Sequence, residues 1–168
     1  MSEILIIIGL ILLNGVFSMS EVAMISARKS RLSTDAKKGS KAAQKALDLS
    51  GNPDRFLSTV QIGITLIGIL TGIYSGNKIA TDLTDFMLSC GVSSAYAAVL
   101  AQGTIVVVVT YLTIIFGELV PKRIGLSVAE AVAKLMARPM NVLAMIASPF
   151  VWLLSKSTEL IFNLLGIK

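Results

Sequence analysis

Histidine is absent from this chain of 168 residues, and cysteine occurs once, as Cys90. The lack of histidine excludes imidazole metal sites, histidine-based acid–base catalysis and Ser-His-Asp triads. A single cysteine excludes an internal disulfide and a thiolate metal cluster. The sequence therefore lacks the side chains of the commonest catalytic sites, and we predict that the protein is not an enzyme.

Long apolar runs are what the sequence has instead. Hydrophobic residues make up 54% of the chain, and the mean hydropathy is +0.79. They form four blocks, at about residues 4–25, 56–79, 95–120 and 139–167. Blocks of this length match the roughly 20 residues that a helix needs to cross a bilayer. The pattern predicts an all-α membrane protein embedded in a lipid bilayer.

The positive charge follows the membrane pattern and not that of a nucleic-acid-binding protein. The net charge is +5, and residues 28–55 hold eight of the fifteen basic residues beside three acidic ones. Basic residues flanking apolar blocks are typical of cytoplasmic loops. This distribution predicts three crossings with the N-terminus outside, and no nucleic-acid partner.

One transmembrane domain, residues 1–168, is predicted from these blocks. It comprises spanning helices at about 4–27, 55–79 and 95–120, juxtamembrane helices at 30–50 and 124–137, and a belt at 139–166. The belt contains Pro149 and has only about sixteen apolar residues before Lys156. That is short for a full span. We predict a proline-broken helix pair at the interface or a re-entrant segment, with a fourth crossing as the alternative.

The third block ends in a carboxylate, Glu118, followed by Pro121. A charge at the membrane boundary costs several kcal/mol unless something neutralises it. Pro121 has no N–H to donate to the Gly117 carbonyl, so that oxygen loses its usual helical partner. A carboxylate beside a freed carbonyl suits a hard cation. The alternative is a glutamate that reaches water past a helix that Pro121 ends.

Further polar residues lie at the same depth in the other helices. Asn14, Ser18 and Glu21 form one stripe of the first helix, and Gln61 and Thr65 are spaced four apart in the second. Such residues face protein or a wet cavity rather than lipid. For Asn14 and Ser18 the sequence leaves ion ligation and interhelical hydrogen bonding open.

Glycines recur every four residues in the second block, at Gly68, Gly72 and Gly76. Small residues at this spacing let two helix backbones approach closely. The pattern predicts a helix-packing face, which could also form a seam between two copies.

Three motifs resemble the transmembrane domain of the CNNM/CorB/CorC magnesium transporter family. They are Asn14 to Ala23, Ser58 to Gly63, and Phe116 to Lys122, the last of which contains a Gly-Glu-x-x-Pro element. Their order and spacing match over essentially the whole chain. The resemblance implies three spanning helices, a juxtamembrane belt, a homodimer and a bacterial inner-membrane location.

The resemblance also implies Mg²⁺ transport or efflux from an inward-facing site, with Na⁺ as the coupling ion in some members. The family's serine falls on Ser18 and its glutamate on Glu118, with Gly117 and Gly63 at the positions of backbone approach. Many members have asparagine where this chain has Ile64. Thr65, Gln61, Asn14, a backbone carbonyl or water would then complete the ligand set.

The family usually continues into a cytoplasmic CBS-domain pair, which we expect as a partner in the full-length protein. The predicted function is therefore transport of Mg²⁺ through a site containing Glu118. The alternative is a membrane anchor or regulatory module that positions CBS domains and moves no ion.

Overall fold

The computed structural model describes residues 2–51 and 53–167, including their side chains except those of residues 53, 77 and 78. This part of the chain is helical between short turns and has no strand. The predicted all-α class is therefore confirmed. The sequence favours this outcome because a backbone in lipid must satisfy its own hydrogen bonds, which an α-helix does within one segment.

Eight α-helices make up the described chain: α1 Ser2–Ser26, α2 Lys29–Lys37, α3 Lys41–Ser50, α4 Pro53–Tyr74, α5 Ala80–Ser89, α6 Ser94–Ile114, α7 Val120–Ser127 and α8 Ala129–Leu165. Two π-helical segments join them without a break. Ser75–Ile79 connects α4 to α5, and Ile115–Leu119 connects α6 to α7. The sequence predictions did not include these segments.

Four helical stretches are long and apolar enough to cross a membrane, judged by length and composition: Ser2–Ser26, Asp54–Tyr74, Ser94–Ser127 and Ala129–Leu165. The first three overlap the predicted crossings, although the second ends at Tyr74 and not at residue 79. The fourth also meets these criteria. It is therefore long enough to cross, whereas the sequence prediction had considered this segment too short for a full span.

The C-terminal helix differs from the predicted helix pair. Pro139 and Pro149 both lie inside α8, which runs without interruption through 37 residues. A proline removes one backbone N–H donor from a helix. The helix can still continue through it where a side chain or a neighbouring group donates a hydrogen bond to the carbonyl that is left without a partner. The prediction of a proline-broken pair is wrong, and the region is one helix.

The chain divides into two compact units. The first unit contains residues 2–19 and 63–127, and the second unit contains residues 20–62 and 128–167. In the first unit α5 packs against α6, and in the second α3 packs against α2 and α8.

A short turn folds α2 against α3 in the second unit. Gly39 has φ +102°, a conformation that favours glycine, and Ser40 accepts a hydrogen bond from the Ala43 N–H at 3.2 Å. Ala43, Ala46 and Leu49 form the buried face of α3. Two helices therefore occupy the region 30–50 that was predicted as juxtamembrane.

Candidate cation-binding cavity

The π-helical segment Ile115–Leu119 carries both Gly117 and Glu118. Its hydrogen bonding is that of a π turn, because the Val120 N–H donates to the Ile115 carbonyl five residues back. Pro121 follows directly and cannot donate to the Gly117 carbonyl. The sequence signal of a disturbed helix at this point thus corresponds to a widened turn.

Asn14 supplies the donor that Pro121 lacks. Its side-chain Nδ2 donates to the Gly117 oxygen at 3.0 Å, and Asn14 is only 5% exposed. A Cβ on Gly117 would lie 2.9 Å from that nitrogen, so the bond needs glycine at this position. The freed carbonyl predicted from Pro121 therefore accepts a bond from α1 and joins α1 to the π segment.

Gly15 brings the same two elements into backbone contact. A Cβ built on Gly15 would lie 2.7 Å from the Phe116 oxygen and 2.9 Å from Pro121 Cγ. No side chain fits at that distance, so glycine is required. Contacts of this kind between small residues are how membrane helices pack closely. They fix Glu118 relative to α1.

A cavity of about 410 Å³ opens beside this contact, entirely within the first unit. Its polar lining residues are Asn14 of α1, Thr71 of α4, Ser75, Thr110 and Thr113 of α6, and Glu118; the apolar and glycine lining comes from Ile11, Ile64, Ile67, Gly68, Gly72, Val106, Val109 and Ile114. From Ile64 to Ser75 the lining follows α4 for eleven residues, or about 16 Å at 1.5 Å per residue. The cavity is therefore elongated along the helices. Ile64 of α4 and Ser75, the first residue of the following π segment, lie near its opposite ends.

Hydrogen-bond acceptors dominate the polar part of this lining. The Thr71 hydroxyl donates to the Ile67 carbonyl at 2.8 Å, and the Ser75 hydroxyl donates to the Gly72 carbonyl at 3.2 Å. Asn14 donates its amide to Gly117, as described above. These donors are used within the protein, which leaves the oxygen lone pairs as the remaining capacity of each group. Such a lining suits a cation.

Glu118 is the carboxylate of the cavity. It is half-buried, and the described lining contains no lysine or arginine. No described basic side chain lies within 4.0 Å of it as an ion-pair partner. Groups of three or more histidine, cysteine, aspartate and glutamate side chains are not found among the described residues. A cation here would thus meet one carboxylate and several neutral oxygens.

The structure separates the predicted site residues into two groups. Glu118 and Asn14 line the cavity, and Gly117 contacts Asn14. Ser18 is 2% exposed but does not line the cavity, and Thr65 is exposed and does not line it either. Gly63 packs on the Phe17 ring, where a Cβ would meet Cζ at 2.9 Å. Ligation by any of these six residues stays a prediction.

Ile64 takes the place on α4 that the depth argument had assigned to Thr65. It lines the cavity, whereas Thr65 does not. Adjacent residues on a helix point about 100° apart. Depth alone therefore could not tell which of Ile64 and Thr65 faces the cavity.

The glycine ladder has a different use within the chain from the predicted one. A Cβ on Gly68, Gly72 or Gly76 would meet nothing within 4 Å, and Gly68 and Gly72 line the cavity. Among the described residues of one chain, no helix packs closely on this face. Its small residues instead leave room for the cavity. A seam between two copies stays a prediction.

Four cavity residues were missed by the sequence predictions: Thr71, Ser75, Thr110 and Thr113. A signal for the first two is their spacing with Ile64 and Gly68 at i, i+4, i+7 and i+11, one helical face. Thr110 and Thr113 precede Glu118 by eight and five residues, and the intervening π turn obscures their common face.

The family model for the cyclin M transmembrane N-terminal domain (CNNM) matches residues 5–168. The chain belongs to the CNNM transmembrane-domain family. It is a multi-pass membrane protein of a membrane-domain family and not of an enzyme family.

Several curated proteins are similar to this CNNM domain over nearly its whole length. UPF0053 protein sll0260 of Synechocystis sp. is 46% identical over 165 residues, which cover 98% of this chain and 37% of the relative. The polyamine export protein of Escherichia coli K12 is 33% identical over 164 residues, covering 98% and 36%. UPF0053 protein YhdP of Bacillus subtilis is 32% identical over 166 residues, covering 99% and 37%. The chain spans somewhat more than a third of the length of these relatives.

Proposed function

We propose that this CNNM domain moves a cation across the membrane by way of the cavity beside Glu118. The observation that carries the proposal is the chemistry of the described lining, which contains a carboxylate and neutral acceptors and neither lysine nor arginine. A carboxylate kept at membrane depth without an ion pair is costly, and such groups mark ion pathways.

Mg²⁺ is the leading cargo. Glu118 would supply the charge, and Asn14 and Thr113 would supply neutral oxygens from the same cavity. Mg²⁺ requires oxygen ligands in near-octahedral geometry and gives up water reluctantly. A site with one carboxylate would hold it with part of its water shell and release it easily, as transport requires. Na⁺ is the proposed coupling ion.

A polyamine is the second candidate cargo, and the shape of the cavity favours it. The lining extends about 16 Å along α4, with hydroxyl acceptors on Thr71 and Ser75 and apolar groups between them and Ile64. A linear polyamine has ammonium groups separated by methylenes. One ammonium group would lie at Glu118, the methylenes against the apolar lining, and another ammonium group at the Thr71 and Ser75 hydroxyls. Relatives named polyamine export protein support the choice of this candidate.

The domain is further proposed to work as a homodimer in a bacterial inner membrane, with its N-terminus outside and a CBS-domain pair following in the full-length protein. The rival proposal is an anchor or regulatory module that positions such cytoplasmic domains and moves no ion. Both use the same fold, so only a flux measurement separates them.

The decisive experiment measures Mg²⁺ and spermidine flux in liposomes that contain the purified protein. We expect flux from the unmodified protein and a loss of at least about tenfold in Glu118→Gln, because the neutral amide cannot offset the cation's desolvation. Glu130→Gln, which changes a carboxylate in the second unit, is the matched control and should keep its flux. Absence of flux for both cargoes would leave the anchor as the function.

Thr71→Val separates the two cargoes. It removes a hydroxyl from the cavity while keeping the side-chain shape, so spermidine flux should fall more than Mg²⁺ flux if the second ammonium lies there. Thr104→Val is the matched control, because Thr104 also donates to its own helix, at 2.8 Å to Leu100, and lies outside the cavity. Equal effects of Thr71→Val on both cargoes would contradict the polyamine candidate.

Binding has its own measurement. Mg²⁺ should raise the Tm of the purified protein in detergent, since a ligand that binds only the folded state stabilises it. Glu118→Gln should abolish this rise. An unchanged rise would overturn the assignment of Glu118 as an ion ligand.

A further inference from the structure

A second cavity, of about 230 Å³, lies in the second unit where two membrane helices end. Met24 and Ile25 from the end of α1 line it, together with Phe56 and Leu57 from the start of α4. Lys29 of α2 and Ser50 of α3 also line it. An apolar cleft that carries an ammonium group thus occurs where the chain passes from apolar helices to a charged segment.

Arg55 adds a cation that directly precedes Phe56 and Leu57 in the first turns of α4, although it does not itself line the cleft. Its Nε is buried and has no hydrogen-bond partner among the described residues. A buried donor without an acceptor is destabilising. A neighbouring anion would offset that cost through its attraction to the guanidinium charge.

Three acidic groups of the second unit are used in contacts within the protein. Asp35 pairs with Lys134 at 3.0 Å, and Asp48 accepts a bond from Gln44 at 3.0 Å. Glu130 accepts the Arg28 N–H at 3.4 Å. Basic residues outnumber acidic ones in this unit, eleven to six over residues 20–62 and 128–167, with Glu21 and Asp54 counted among the acidic ones.

Four lysines extend that positive charge around the turn between α2 and α3: Lys37, Lys38, Lys41 and Lys45. The first three are exposed, and none of the four has an ion-pair partner in the described chain. Clusters of four or more basic residues next to a membrane helix attract anionic lipid.

We propose that this cleft binds an anionic phospholipid. The phosphate group is held by the Lys29 ammonium and the Arg55 guanidinium, and the first part of an acyl chain lies against Phe56, Leu57 and Met24. A free phosphate ion would use the two cations but would leave the apolar wall without a partner. The inference is independent of the cargo and of the proposed transport.

The test measures lipid binding to the purified protein in neutral detergent, by Tm and by native mass spectrometry. The probes are dioleoylphosphatidylglycerol, dioleoylphosphatidylcholine and inorganic phosphate. We expect phosphatidylglycerol to bind and raise the Tm, phosphatidylcholine to bind more weakly, and inorganic phosphate to have no effect. Equal binding of the two lipids, or saturation by inorganic phosphate, would overturn the proposal.

Lys29→Gln should weaken phosphatidylglycerol binding about tenfold, since a bond to a charged group is lost. Lys156→Gln is the matched control. Lys156 is an exposed lysine of the same unit, its Nζ lies 3.5 Å from Glu159, and it does not line the cleft. Unchanged binding in Lys29→Gln would overturn the proposal.

The lipid-free Tm reports whether Lys29→Gln still folds. If that Tm falls, Leu57→Trp decides, because it fills the cleft and leaves both cations in place. Loss of phosphatidylglycerol binding in Leu57→Trp supports the site, and binding equal to that of the unmodified protein contradicts it.

Discussion

Two carboxylates, one in each unit, show how differently the units treat charge. Glu130 accepts a hydrogen bond from the Arg28 N–H at 3.4 Å and lies 3.8 Å from Arg31. Glu118 lines a cavity and has no ion-pair partner among the described residues. Glu130 is thus used in contacts within the second unit, whereas Glu118 has no ion pair and is the carboxylate that we propose as a ligand.

The same contrast holds for the neutral groups around Glu118. Gly15 of α1 is packed against the Phe116 backbone, while a Cβ built on Gly68 or Gly72 of α4 meets no described atom within 4 Å. The first unit is therefore tight where Glu118 is positioned and open where a ligand would lie. Substitutions at the tight positions should cost stability, and substitutions at the open positions should change binding.

Gly15→Ala should have the largest effect on stability. Its Cβ would meet the Phe116 oxygen at 2.7 Å, a backbone atom that cannot move without shifting the π segment. We expect a loss of about 3 kcal/mol, seen as a lower Tm in detergent. Gly68→Ala is the matched control, since its Cβ meets nothing within 4 Å. Similar losses in both variants would show that the α4 face is also packed, as in a dimer seam.

Asn14→Leu should have the next largest effect. Leucine is close to asparagine in shape but lacks the donor to the Gly117 carbonyl. The substitution therefore leaves a buried acceptor unpaired, at a cost of about 2 kcal/mol. The measurement is again the Tm. Asn163→Leu, at an exposed amide of α8, should change it little. No loss in Asn14→Leu would mean that the π segment does not depend on α1 for its hydrogen bonding.

Ile64→Asn should improve binding and leave stability nearly unchanged. It adds an amide oxygen to the cavity lining, and more oxygen ligands raise the affinity of a Mg²⁺ site. We expect Mg²⁺ to stabilise this variant at concentrations lower by about threefold to tenfold. Thr65→Asn, one residue on and outside the cavity, should leave the concentration dependence unchanged.

Glu130→Gln should have the smallest effect. Its partner Arg31 is largely exposed, and pairs of this kind contribute little to stability. A small fall in Tm with unchanged flux is expected. A loss of flux comparable to that of Glu118→Gln would end the distinction between the two carboxylates.

Local signals in the sequence singled out three residues that the structure brings together at the cavity. Glu118, Gly117 and Pro121 stand within five residues, so their chemistry could be argued without knowing the fold. Asn14 followed from its polar stripe on an apolar helix. These predictions needed only the geometry of a single helix, and the structure brings Asn14, Gly117 and Glu118 together.

The wall of the cavity could not be predicted in the same way. Thr71 and Thr110 lie on different helices, and which faces of two helices meet is not visible in one sequence. Depth gave the axial position of Ser18 and Thr65 but not the direction in which they point. Gly68 and Gly72 were ambiguous, because small residues serve equally to admit a neighbouring helix and to leave a void.

The π segment at Ile115–Leu119 has a consequence for how this chain tolerates changes in length. A π turn contains one residue more than the α turn it replaces. Deleting one residue there would let the helix continue as a regular α-helix with its two flanks in nearly the same orientation, because the wide turn accommodates that extra residue. A further inserted residue has no second wide turn to accommodate it, so all positions on one side would rotate by about 100° relative to the other. Glu118 or the threonines of α6 would then leave the cavity together, with composition and hydropathy almost unchanged. This segment should therefore tolerate the deletion of one residue better than the insertion of one.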